Sequence, residues 1–178
     1  MSPKERSHVA LQAVYHALLE LLKSQPENTI TITMLCNRAH VSRAYYYRNF
    51  NTFEDIMEKA MLDQSLHYLR SLPPLSSVNF ALMMERYFLL VDHNREDYLL
   101  LADIGKTAAM ATTFTSVHQY LLTHNRIQIH TDSNPSQRFW PEFLAGAVTN
   151  TAIAWLRDDQ QVTPRQLGSM LANFLKLD

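Results

Sequence analysis

Only three glycines, Gly105, Gly146 and Gly168, occur in 178 residues, where average usage of roughly 7% would give about a dozen. Hairpin turns that need a positive φ are therefore scarce, and the chain is expected to be helical. Helix punctuation agrees with this. Ser2-Pro3-Lys4-Glu5 reads as N-cap, first-turn proline and N3 glutamate, and Thr163-Pro164-Arg165-Gln166 repeats the pattern near the other end.

Between these signals the apolar residues recur at helical spacing. Ala10, Val14, Ala17, Leu18, Leu21 and Leu22 form one face of helix 1, which Ser24-Gln25-Pro26 stops. Ile30 to Ala39 reads as a second helix capped by Thr31, although Ile30, Thr31, Ile32 and Thr33 are β-branched and equally suit the start of a strand. Ser42 caps a third helix through Tyr47 or Asn49, and Thr52 caps a fourth that runs to Arg70. Leu72-Pro73-Pro74-Leu75-Ser76-Ser77 then breaks the periodicity. It divides a first domain (1–52), joined through helix 4 (52–70), from a second (71–178). Val78 to Asp92 is the next helix, Asn94 caps another through Asp103, and a longer one spans Gly105 to His124. Thr131 to Pro135 reads as a loop, Pro141 either kinks the following helix or marks its first turn, and the last helix ends near Leu177. The expectation is an all-α chain of about nine helices without internal repeats.

Composition excludes several classes. With 47% hydrophobic and 19% charged residues the chain is not predominantly disordered. A net charge of -1 supplies no whole-molecule field for a polyanion or a membrane, so any such site is local. The single Cys36 excludes an internal disulfide framework. No stretch approaches the ~18 apolar residues of a membrane span, and Met1 to Arg6 is polar. These features predict a soluble, cytoplasmic protein.

Charge is informative at one place. Asn28 to Phe53 contains Arg38, Arg43 and Arg48 and no acidic residue, as suits a surface that faces a polyanion. Ile30 to Met57 reads as two short helices, a tight turn between them and a capped longer helix, which is helix-turn-helix spacing. In such a unit the second helix enters the major groove. Arg43 and Arg48 offer donors to guanine edges or phosphate, whereas Tyr45 and Tyr47 offer rings and hydroxyls. Val41, Tyr46 and Phe50 are the expected inward anchors. The three consecutive tyrosines cannot all be core, because helical neighbours diverge by about 100°.

The residues Ile30-Thr31-Ile32, Arg38-Ala39, Val41-Ser42-Arg43, Tyr47-Arg48, Phe50 and Glu54-Asp55-Ile56 resemble, in register, the DNA-binding domain of the tetracycline-repressor (TetR) family of bacterial regulators. The resemblance spans roughly residues 5 to 65. It implies a three-helix helix-turn-helix domain followed by a helical effector-binding and dimerisation domain. It further implies a homodimer on a palindromic double-stranded operator, most often as a repressor, modulated by a small-molecule effector and using no cofactor. Family positions that touch DNA correspond to Thr31, Arg43 and Tyr47. With the outward residues of the motif, the expected DNA contacts are Thr31, Thr33, Ser42, Arg43, Tyr45, Tyr47, Arg48 and Asn49. Three positions depart from the pattern. His40 replaces the usual turn glycine, Phe53 replaces a frequent phosphate-binding lysine, and Tyr45 replaces a small residue.

The second half is rich in bulky residues, including Phe88, Tyr98, Phe139 and Trp140, most of them core by default. Arg86, Tyr87, Met110, Phe114, His118 and Phe143, with Gln119 nearby, are the candidate effector-pocket residues. The resemblance pairs the last two helices with their copies, which nominates Ala145, Thr149, Ile153, Leu156, Leu167, Met170 and Phe174 for a dimer interface; an intramolecular core explains the same apolarity. Catalytic and metal sites have no candidate. Cys36 and His40 read as a packed thiol and a turn residue, and His118, His124 and His130 step by six around a helix. The alternative reading is a helical co-regulator that keeps the fold without DNA contact, motivated by Phe53. An all-α enzyme is the least supported.

Overall fold

The computed structural model describes residues 2–71, 79–124, 138–158 and 162–175, and every regular element among them is helical. In chain order these are α1 (Pro3–Ser24), a 3-10 turn (Glu27–Thr29), α2 (Ile32–Arg38), α3 (Arg43–Asn49), α4 (Phe53–Ser71), α5 (Phe80–His93), α6 (Arg95–Asp103), α7 (Thr107–Thr123), α8 (Trp140–Arg157) and α9 (Pro164–Leu175). The chain divides into two compact units, Met1–Gln64 and Ser65–Asp178. The division falls inside α4, whereas the proline segment at 72–77, the loop at 131–135 and the end at Leu177 lie outside the described residues.

The caps explain where the helices begin. Ser2 Oγ accepts from Glu5 N–H at 3.2 Å while the Glu5 carboxylate accepts from Ser2 N–H at 2.6 Å. Thr163 and Gln166 make the same reciprocal pair ahead of α9, at 3.3 and 2.9 Å. Pro141 lies in the first turn of α8, where its missing donor costs nothing. Two expected boundaries and one expected side-chain cap are corrected. Helix α5 starts at Phe80 rather than Val78, because Asn79 supplies the cap, its side chain accepting from Leu82 N–H at 2.9 Å. Asn94 holds the N-cap position of α6 as expected, but its side chain makes no capping bond there and instead donates back to the Leu90 carbonyl of α5 at 2.8 Å. Gly105 does not open α7 but terminates α6, with φ +77°.

In the first unit, Val14, Tyr15, Leu18 and Leu22 of α1, Leu35 and Cys36 of α2, Tyr46 of α3 and Ile56, Met57 and Ala60 of α4 form a common core. A polar seam ties α1 to α4. Gln12 Nε2 donates to the Ala60 carbonyl and to Asp63, both at 3.2 Å, while Asp63 pairs with His8 and Gln64 donates to Gln12 at 2.7 Å.

In the second unit α5 packs along α9 and α7 along α8. Helix α9 meets α5 through Gly168, where an added Cβ would lie 2.5 Å from the Ala81 carbonyl oxygen. Arg95 of α6 donates to the Leu156 carbonyl at the end of α8, and the Trp155 indole N–H reaches the Val162 carbonyl at 2.8 Å.

Candidate nucleic-acid interface

Two hydroxyl caps and a left-handed turn build the α2–α3 hairpin. Thr31 Oγ1 accepts from Met34 N–H at 3.2 Å and Ser42 Oγ from Tyr45 N–H at 3.1 Å, so each short helix starts on a satisfied donor. Between them His40 adopts φ 53° and Val41 N–H reaches back to the Cys36 carbonyl at 3.0 Å. This is Schellman-type closure, and histidine tolerates the left-handed region better than most residues. The turn survives the absence of glycine.

Helix α3 is anchored from beneath. Tyr46 and Phe50 are buried with ring centroids 5.8 Å apart, and Tyr45 lies edge-on to Phe50 at 6.0 Å. Burial raises the Tyr45 and Tyr46 phenols above their ordinary pKa. Lys59 of α4 donates to the Asn49 carbonyl at 2.7 Å, satisfying the C-terminal end of α3, and to Asp55 at 3.0 Å. Nothing in the local pattern of α3 announced this second-turn lysine as its brace.

The expected DNA contacts are sorted by this geometry. Thr31, Thr33, Ser42, Arg43, Tyr47, Arg48 and Asn49 are exposed and Tyr45 is half-buried; Val41, expected inside, is only half-buried. Tyr47 is 57% exposed, and Arg43 donates to its hydroxyl at 3.3 Å with the guanidinium 5.9 Å from the ring centroid. Arg48 Nε donates to the Ala44 carbonyl at 3.2 Å and Asn49 Nδ2 to the Tyr45 carbonyl at 2.7 Å, so both fold back along their own helix. Arg38 forms an ion pair with Glu20 of α1 at 2.6 Å, which holds the Glu20 carboxyl below its ordinary pKa. Cys36 is buried and burial raises its thiol pKa, while His40 is exposed in the turn. They do not make an exposed pair.

No family model and no curated protein matches the sequence. Among solved structures, Lin0861 from Listeria innocua superposes with a TM-score of 0.77 at 14% identity, covering 99% of this chain and 94% of that one. A tetR-family transcriptional regulator from Streptomyces coelicolor superposes with a TM-score of 0.52 at 18% identity, covering 98% of this chain and 80% of that one. The chain has the TetR-regulator fold. Within this TetR fold, Phe53 is the first residue of α4 and half-buried, so an aromatic ring stands where the pattern often has a cation.

The second unit of the TetR fold redistributes the pocket and interface candidates. Met110, Phe114 and His118 of α7 are buried together, with Phe114 5.2 Å edge-on from Tyr87 of α5 and stacked on His118 at 6.4 Å. Burial lowers the His118 pKa. The Tyr87 hydroxyl and Thr149 Oγ1 of α8 are both buried without an aligned hydrogen bond among the described residues. Burial drives the Tyr87 phenol well above its ordinary pKa, and the nearby Thr149 hydroxyl lowers it only in part. Arg86 is half-buried and Gln119 exposed. Phe143 falls outside the cluster: it is 56% exposed and leans on Trp140. The interface candidates divide by burial within the single chain. Ala145, Thr149, Ile153, Leu156 and Leu167 are buried inside the single chain, whereas Met170 and Phe174 are 41% and 73% exposed. Apolar spacing located the stripes but not the neighbour that covers them.

Among the described residues no three His, Cys, Asp or Glu side chains gather as a metal site, and no helix is long and apolar enough to cross a membrane. His130 lies outside the described residues.

Proposed function

We propose that this chain is a TetR-family transcriptional regulator that binds a palindromic operator as a homodimer and responds to a small-molecule effector. One observation carries the reading: α3 projects the exposed Arg43–Tyr47 face from a braced helix-turn-helix, within a stretch, residues 28 to 53, that contains no acidic residue. The name of the Streptomyces coelicolor structure supports the same direction. In the mechanism, α3 enters the major groove while Thr31, Thr33 and Ser42 donate to flanking phosphates. Two copies place their recognition helices about one DNA turn apart, ~34–36 Å. Met170 and Phe174 supply apolar area for the pairing. An effector lodged against Tyr87, Met110, Phe114 and His118 shifts operator affinity by binding the DNA-competent and DNA-incompetent states unequally. Repression is the expected sign of regulation.

Selection of duplexes from a random pool at fixed salt tests this reading. The wild-type chain is expected to enrich an inverted repeat, and Arg43→Ala with Tyr47→Ala to abolish the enrichment at unchanged helicity. Failure of the wild type to enrich any duplex rejects DNA binding and favours the co-regulator alternative, for which Phe53 at the first position of α4 is the supporting observation.

A further inference from the structure

Arg43 opens α3 and Tyr47 follows one turn later on the same exposed face. The side chains meet in two ways. An Nη2 proton goes to the Tyr47 hydroxyl at 3.3 Å, and the guanidinium carbon lies 5.9 Å from the ring centroid, within cation–π range. The other long polar side chains nearby are committed elsewhere: Arg48 and Asn49 to carbonyls of their own helix, and Arg38 to Glu20. Arg43 therefore stands at the end of the helix that reaches base edges, already restrained by its neighbour.

That restraint matters for what the guanidinium selects. It has five N–H donors, so one given to Tyr47 leaves enough for a planar fork. Guanine presents O6 and N7 in the major groove, the pair that a bidentate arginine fits. A phosphate accepts from many directions and gains little from a fixed fork, whereas a base edge rewards it. A free arginine must surrender rotamer freedom on docking, and Tyr47 has removed part of that freedom beforehand.

We propose, resting on the reading of α3 as a recognition helix, that Tyr47 is a positioning residue that presents Arg43 to one guanine in each operator half-site. Tyr47 thereby contributes to base choice and not only to backbone grip.

The test measures affinity at two salt concentrations for the duplex selected from a random pool and for the same duplex with its conserved guanine changed to adenine. The proteins are full-length wild type, Arg43→Lys, Tyr47→Phe and Tyr47→Ala, each checked for unchanged helicity. Wild type is expected to fix a guanine in each half-site and prefer it by about five- to a hundredfold. Arg43→Lys keeps the charge without the fork, so it loses most of that preference while the salt slope stays. Tyr47→Ala reduces the preference by about two- to fivefold, and Tyr47→Phe, which keeps the ring, by less. A Tyr47→Ala chain that binds every duplex more weakly by one common factor, with guanine preference intact, overturns the proposal. Selected duplexes without a fixed guanine overturn it too and leave DNA binding standing. A wild type that enriches no duplex removes the recognition-helix reading and this proposal with it.

Discussion

A hydroxyl oxygen that accepts a backbone N–H still has its own proton to give. Thr31 and Ser42 are used as acceptors by Met34 and Tyr45, which leaves each able to donate to a phosphate. Aspartate caps about as well as serine or threonine but donates nothing and repels phosphate. Thr31→Asp and Ser42→Asp are therefore expected to stay within about 0.5 kcal/mol of wild-type stability while losing operator binding. Circular dichroism melts beside duplex retention check this, and undiminished retention would exclude both hydroxyls from the interface. His118 offers a second residue-level test. Burial holds its imidazole below the ordinary value of 6.5, so as pH falls the unfolded chain takes up the proton before the folded one. The contribution to stability is complete above that value and is lost as the pH drops through the folded pKa. Chemical denaturation at about pH 7.5 and 5.5 should show wild type weakening on acidification and His118→Phe weakening less; equal slopes would count against the assignment.

At the scale of elements, the α5–α9 contact is the most demanding. A methyl group at position 168 meets the Ala81 carbonyl at 2.5 Å and the Glu85 amide at 2.8 Å, both backbone atoms that cannot swing aside. Gly168→Ala is expected to destabilise by about 1–3 kcal/mol, more than the ~1 kcal/mol of helix propensity it gains. The urea midpoint reads the difference, and a rise would mean that the helices separate freely. Elements set by neighbours in sequence were legible beforehand: the Ser2–Glu5 and Thr163–Gln166 pairs span three residues, and the α2–α3 spacing survives with His40 in the turn. What a side chain does when two local partners compete was not legible. Asn94 stands between helices α5 and α6 and satisfies a carbonyl of the first rather than an amide of the second. Arg38 finds Glu20 eighteen residues away, and Tyr87 faces Thr149 across a packed interior, pairings that no periodicity encodes.

For the whole molecule the open question of assembly turns on which apolar residues a single chain already covers. Leu156 and Leu167 are spent on the interior, while Met170 and Phe174 stay exposed on α9. In the proposed dimer, Met170→Glu with Phe174→Glu is accordingly expected to leave a helical monomer by sedimentation; a variant that sediments as a dimer like wild type places the pairing surface elsewhere, and a monomeric wild type rejects the pairing. Cys36 has a consequence of its own. It is the chain's single thiol, and it is buried in the first unit with its ionisation suppressed. A maleimide dye can reach it only when that half of the protein breathes, so the labelling rate is a built-in clock for local opening of the first unit. Any duplex that steadies the first unit should make the clock run slow.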